Sequence, residues 1–295
     1  MTVIPIDDDE VAAGRALRAE FARFWSTEQG DPRAVYDRFI AATPVAADVD
    51  VQHVSTDPGP GIWVRPADAL PDRVLLFLHG GGYGLGNAAA YAGLVSQIAT
   101  RAKVAVFALD YPLAPESQLP EALDLAVATL SQLRRDHAAV AIAGDSAGGG
   151  LSLATTAQAR REGLDVAAVA VFSPWTDLSL SGASVRDQAV GDPLLDPAYL
   201  RGSAAAYLGP AAHNDPRASP LFDDVNGFPP LLIQVGSDEI LLDDSRRFAD
   251  AVEKAGGTVA LEVWQGMHHV FQLNVVQLAS ARRALDRAAE FLAGR

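Results

Sequence analysis

The chain has 295 residues, 49% of them hydrophobic and 20% charged, with a formal net charge of −14 and no cysteine. This content can bury a sizeable core, and no segment approaches the roughly 20 apolar residues that a membrane span needs. The negative charge argues against nucleic acid or anionic membrane as partner, and the lack of cysteine excludes disulfides, thiol catalysis and zinc–thiolate sites.

Met1 to Glu10 carries Asp7, Asp8, Asp9 and Glu10 and no basic residue, unlike a secretory signal, so the expected location is cytoplasmic. Residues 10–42 read as helical, with Leu17, Phe21, Phe24 and Trp25 on one apolar stripe. Gly30-Asp31-Pro32 breaks this run and starts a second helix carrying Val35 and Phe39. Strands are predicted at Val49–Ser55 and Ile62–Arg65, then at Val74–Leu78, Val104–Leu109, Val140–Ala143, Val166–Phe172, Leu231–Val235 and Val259–Trp264. Helical runs alternate with them at Tyr91–Ala102, Glu121–Arg134, Ser146–Arg161 and Asp244–Ala255, and Leu273–Leu292 closes the chain. Apolar strands separated by amphipathic helices imply an α/β fold with a mostly parallel sheet covered on both faces. Such sheets bind ligands beyond the carboxyl ends of their strands. Between Pro174 and Pro229 only a short helical stretch, Ala198–Leu208, stands among Asp-Pro and Gly-Pro turns. A loop region this long inside a domain is usually functional, often a lid.

Gly144-Asp145-Ser146-Ala147-Gly148 joins a strand to a helix. That turn pushes a serine out at the strand's carboxyl end and sets it at a helix N-terminus, which favours negative charge. Ser146 is therefore the candidate nucleophile. His79-Gly80-Gly81-Gly82 directly follows another strand, and its glycines let backbone N–H groups converge on an oxyanion. Gly81, Gly82 and Ala147 are assigned to the oxyanion hole, and His79 to bracing the loop. A phosphate loop is disfavoured because no Lys-Ser/Thr follows. Serine needs a base. His268 and His269 follow the last strand at the same sheet edge, whereas His53, His137 and His213 suit surface or packing roles. Gly236-Ser237-Asp238-Glu239 follows the preceding strand, and Asp238 is taken as the orienting carboxylate, giving the chain order Ser, Asp, His. Asp243 and Asp244 compete with it but suit helix capping. Asp145 suits hydrogen bonds to neighbouring loops, and Glu116 bracing near Asp145.

His79-Gly-Gly-Gly82, Tyr111-Pro-Leu-Ala-Pro-Glu116, Gly144-Asp-Ser-Ala-Gly-Gly149, Gly236-Ser-Asp-Glu239 and Gly266-Met-His-His-Val-Phe271 resemble the hormone-sensitive-lipase group of α/β-hydrolases, which includes bacterial carboxylesterases. The resemblance covers about residue 60 to the C-terminus and departs from the group's pattern at Pro112 and Val270. It implies an α/β-hydrolase fold with a helical cap, residues 1–45 as an N-terminal cap segment, and 46–295 as the catalytic domain with a cap insertion at about 176–228. It implies Ser146 as nucleophile, Asp238 as acid and His269, preferred to His268, as base, with no metal or cofactor. The expected substrates are short- to medium-chain carboxylic esters in a pocket formed by Tyr83, Phe24, Trp25, Trp175, Tyr207, Leu208 and Val270. Amidase, deacetylase or lactonase activity is the alternative on the same triad, and a non-catalytic receptor is the alternative from another class. The group also implies a homodimer through the last strand or last helix.

Overall fold

In the computed structural model, which describes residues 1–57, 59–187 and 191–294, the apolar runs form one nine-stranded sheet. The strands are β1 (Thr2–Ile4), β2 (Val49–Val54), β3 (Gly61–Pro66), β4 (Arg73–Leu78), β5 (Ala105–Leu109), β6 (Ala139–Asp145), β7 (Val169–Phe172), β8 (Leu231–Gly236) and β9 (Val259–Trp264). Their order across the sheet is β1-β9-β8-β7-β6-β4-β5-β3-β2. β3 runs antiparallel to both β2 and β5, and every other pairing is parallel.

The pleat sends alternate residues of β4 to opposite faces. Leu75 and Phe77 pack with Leu94 and Val95 of α3 (Ala92–Ala102) and Leu285 of α8 (Ala279–Ala293). Val74, Leu76 and Leu78 pack with Leu123 and Leu130 of α4 (Glu121–Asp136) and Leu151 of α5 (Ser146–Arg161). A third cluster joins β7, β8 and β9 to Phe248 and Val252 of α7 (Leu242–Lys254). The central strands are thus covered on both faces, which is why they read as nearly unbroken apolar runs.

Three further helices stand outside these layers. α1 (Asp8–Thr27) starts where the Asp7 carboxylate accepts from the Glu10 N–H, and α2 (Pro32–Ile40) where Asp31 accepts from the N–H groups of Arg33 and Ala34. α6 (Pro197–Leu208) is capped in the same way by Asp196.

Two features depart from the sequence reading. β1 was not expected, since three residues are too few to display periodicity; it pairs with β9, placing Thr2 opposite Glu262 and Ile4 opposite Trp264. β9, the last strand in the chain, therefore lies between β8 and β1 and is not an edge of the sheet. α8 begins at Ala279 rather than near Leu273, after a short 3-10 turn at Phe271–Leu273. The buried Glu10 carboxylate accepts from the Ser280 N–H in its first turn. This partner, 270 residues away, is invisible to any local pattern.

Candidate active site

Ser146 sits between β6 and α5 with φ of 52°, in the left-handed region that a non-glycine residue adopts only under constraint. The glycines beside it are obligatory. A Cβ on Gly144 would lie 2.5 Å from the Gly148 oxygen, and one on Gly148 would lie 2.1 Å from the Leu78 oxygen. Ala147 occupies the first turn of α5, where backbone N–H groups lack intrahelical acceptors. Gly81 and Gly82 have φ of 113° and 62° and line, together with Ser146 and His269, one chamber of about 250 Å³. His79 braces that loop from below. Its Nδ1 lies 2.7 Å from the Gly80 oxygen, its ring stacks on Tyr111 at 4.3 Å, and burial pushes its pKa down to about 4.

His269 is buried, and its Nδ1 lies 3.2 Å from Oε1 of Glu239. The other carboxylate oxygen, Oε2, accepts from the Gly236 N–H at 2.9 Å and from the Ser173 hydroxyl at 2.7 Å. Ser173 Oγ in turn accepts from the Val270 N–H at 3.1 Å. One serine thus ties the carboxylate to the backbone beside the imidazole. Burial alone would push the His269 pKa down, but the hydrogen bond and charge of Glu239, with Asp192 and Asp145 behind it, leave it raised above 6.5.

Asp238, expected to orient the imidazole, does not do so here. Its Oδ2 accepts from Arg18 Nη2 of α1 at 2.6 Å and its Oδ1 from the Ser237 hydroxyl at 2.7 Å. β8 ends hard against the segment that carries the histidines: a Cβ on Gly236 would lie 2.1 Å from the Met267 oxygen. From that turn Glu239 projects into the site and Asp238 toward the outer helix. Glu239 lies in the same four-residue motif, and spacing alone could not choose between adjacent carboxylates.

The remaining candidates fall as follows. His268 packs edge-on against Phe21 at 5.0 Å, its Nε2 lies 2.9 Å from Asn274 Oδ1, and burial pushes its pKa down to about 4. It is packed in the core rather than lining the Ser146 chamber. Asp145 accepts from the Gly80 N–H and the Tyr91 hydroxyl, at 2.9 and 3.0 Å, and burial raises its pKa to about 7. Asp243 and Asp244 are not helix caps: Leu241 holds that position, while Asp243 accepts from Ser184 N–H and Asp244 from the N–H groups of Thr176 and Asp177. Glu116 pairs with Arg33 at 2.5 Å, away from Asp145.

Comparison with known proteins bears on the fold and the activity. Residues 75–273 match a family model described as the alpha/beta hydrolase fold. An acetyl-hydrolase from Streptomyces hygroscopicus is 41% identical over 91% of this chain and 92% of its own. An esterase from Acinetobacter venetianus is 36% identical over 76% of each chain. A crystal structure of an esterase from the bacterial hormone-sensitive lipase family superimposes with a TM-score of 0.91 at 34% identity, covering 98% of this chain and 99% of that one. The chain is an α/β-hydrolase of the hormone-sensitive-lipase group.

Within this hydrolase, the expected pocket residues divide. Trp25 and Val270 line the chamber with Ser146, and Phe24 lines an adjoining chamber that also reaches His269 and Val270. Tyr83, Trp175, Tyr207 and Leu208 line neither chamber. They are buried in the cluster beneath, where Tyr83 and Tyr207 stack face to face at 3.8 Å. The sequence reading missed Tyr36, Phe39, Ile40 and Leu85, and the insertion's Leu194, Leu195, Tyr199 and Leu200. The stripe of α2 could have pointed to Phe39. Leu194 and Leu195 lie in a Pro-rich loop with no periodicity, and there the N–H groups of both are held by Asp192.

Proposed function

We propose that Ser146, His269 and Glu239 form the catalytic triad of a serine carboxylesterase acting on short- to medium-chain esters. The protein is a carboxylic-ester hydrolase by its family and by its esterase relatives; the division of labour among these residues is the proposal. The observation that carries it is the Glu239–His269 contact beside a chamber that Ser146 shares with the two glycines.

In this mechanism Ser146 Oγ attacks the ester carbonyl as His269 takes its proton. Glu239 fixes the imidazole so that the other ring nitrogen faces the serine, and stabilises the imidazolium without accepting the proton. The N–H groups of Gly81, Gly82 and Ala147 hold the oxyanion, each worth about 3 kcal/mol of barrier. His269 then protonates the leaving alkoxide, and water attacks the acyl-enzyme through the same steps in reverse. Helices α1 and α2 (within residues 1–45) and the insertion at about 176–228 act as the cap. Residues from each line the Ser146 chamber: Trp25, Phe39 and Leu195 among them. A chamber of about 250 Å³ takes an acyl chain of roughly eight atoms, at about 30 Å³ for each water-sized group.

The test is fluorophosphonate labelling combined with hydrolysis of p-nitrophenyl esters, from acetate to decanoate, alongside matching anilides. Ser146→Ala should abolish labelling, and Glu239→Gln should lower kcat by about 10³- to 10⁴-fold. Asp238→Asn should stay within about fivefold of wild type, because its carboxylate pairs with Arg18 and makes no hydrogen bond to His269 among the described residues. A loss at Asp238→Asn as large as that at Glu239→Gln would overturn the assignment, and a preference for anilides would overturn the ester reading.

A further inference from the structure

The chamber with Ser146 is not the only space that reaches the imidazole. A second, of about 320 Å³, also borders His269 and lies between α1 and the segment that joins the 3-10 turn to α8. The two share His269, Val270, Phe39, Leu194 and Leu273 as a common wall, but Ser146, Gly81 and Gly82 line only the first.

Their polar groups differ in one decisive respect. In the first chamber, several of those outside the reacting groups are already engaged: the Tyr36 hydroxyl bonds that of Tyr91, Asp145 accepts two hydrogen bonds, and Asp196 caps α6. In the second, the exposed side chains of Glu20, Arg23 and Gln277 make no hydrogen bond or ion pair among the described residues and are left to solvent. The Asn274 amide nitrogen is also without a partner there, its oxygen being turned to His268. Glu28, by contrast, is paired with Arg38 at 2.7 Å. Around the reacting groups the first chamber therefore offers a guest mainly apolar surface, whereas the second adds hydrogen-bonding groups of both polarities.

The proposed reaction assigns the two halves of an ester to these spaces. The acyl group must stay bonded to Ser146 with its oxygen at the glycine N–H groups. The alcohol must leave over the imidazole that protonates it. We propose that the second chamber is the alcohol site, and that the enzyme prefers esters of polar, hydroxyl-bearing alcohols of up to roughly ten non-hydrogen atoms over esters of alkyl alcohols. This assignment rests on the serine-esterase reading, and it goes beyond that reading by naming the alcohol half of the substrate. An alkyl alcohol would displace water from this wall without replacing its hydrogen bonds, whereas a hydroxylated one can replace them.

Deacylation provides a clean separation, because the alcohol has gone by then. Butyrate esters of triethylene glycol and of 1-hexanol share one acyl group, and wild type should favour the glycol ester by at least tenfold in kcat/KM. Ala42 lines only the second chamber and is exposed. Ala42→Trp should lower kcat/KM for the glycol ester about tenfold while leaving the deacylation rate, measured after a p-nitrophenyl butyrate burst, within twofold of wild type. Gln277→Leu, an exposed substitution that leaves the core untouched, should narrow the glycol-to-hexyl ratio at least threefold. Leu195→Trp, in the first chamber only, should shift acyl-length preference and deacylation instead. A hexyl ester used as well as the glycol ester, or an Ala42→Trp enzyme altered in deacylation, overturns the alcohol-site assignment while the esterase reading stands. Absence of turnover with every ester, together with no fluorophosphonate labelling, overturns both.

Discussion

Replacing Ser173 by alanine tests whether the support behind Glu239 matters as much as the triad itself. The buried hydroxyl donates to Glu239 Oε2 at 2.7 Å and accepts from the Val270 N–H at 3.1 Å. Alanine removes a hydrogen bond to a charged acceptor, worth about 1.5–3 kcal/mol, and leaves a buried N–H unpaired at a further cost of about 1–3 kcal/mol. The two losses share one atom and are not additive, so a net destabilisation of about 3 kcal/mol is expected. At about 2.1 cal/mol/K of unfolding entropy per residue, that lowers Tm by about 5 °C for a chain of this size. Glu239 keeps its bond from Gly236, so the imidazole stays partnered but is held less firmly, and kcat should fall about 10- to 100-fold with KM little changed. Urea unfolding and steady-state kinetics on p-nitrophenyl butyrate measure the two effects separately. If Ser173→Ala keeps both its unfolding midpoint and its kcat, the serine does not hold the acid and the reasoning from its two hydrogen bonds fails.

Two further outcomes follow from the geometry. Because His269 is raised above 6.5 by Glu239 against the effect of burial, the base becomes protonated, and kcat/KM falls, as pH drops through a midpoint above 6.5. Glu239→Gln should move that limb to lower pH, and a profile whose limb stays put in the variant would refute the coupling. The Tyr207 hydroxyl is buried without a hydrogen-bond partner among the described residues, while its ring stacks on Tyr83. Tyr207→Phe should therefore match or exceed wild-type stability, by up to about 1 kcal/mol, with KM unchanged across the ester series; a change in acyl-length preference would return Tyr207 to the pocket.

What was legible in the sequence was whatever local physics imposes. The turn around Ser146 needs glycine at 144 and 148 because backbone oxygens occupy the space of a side chain, and that need is written in adjacent letters. The parallel strands announce themselves by being buried on both faces. The choice between Asp238 and Glu239 depends instead on Arg18 and Ser173, which are far away in the chain and belong to no motif. Likewise Tyr83 and Tyr207 read as amphipathic aromatics suited to a pocket, and only their stacking against each other beneath the chambers makes them core. The start of α8 was misread for the same reason, being set by Glu10 rather than by its own residues.

β1 gives the first ten residues a protective duty. Sheet borders invite other chains to continue the ladder, and here the border next to β9 is closed by three residues, with the Ile4 oxygen also accepting from the Gln265 N–H. The implied pairing of two copies through the last strand would have to peel this strap away or build outward from it. Just beyond it, Glu10 holds the first turn of α8, so the same short segment is tied to both the last strand and the last helix. Removing the first six residues should therefore open the β9 border to pairing with other strands, measurable as concentration-dependent association.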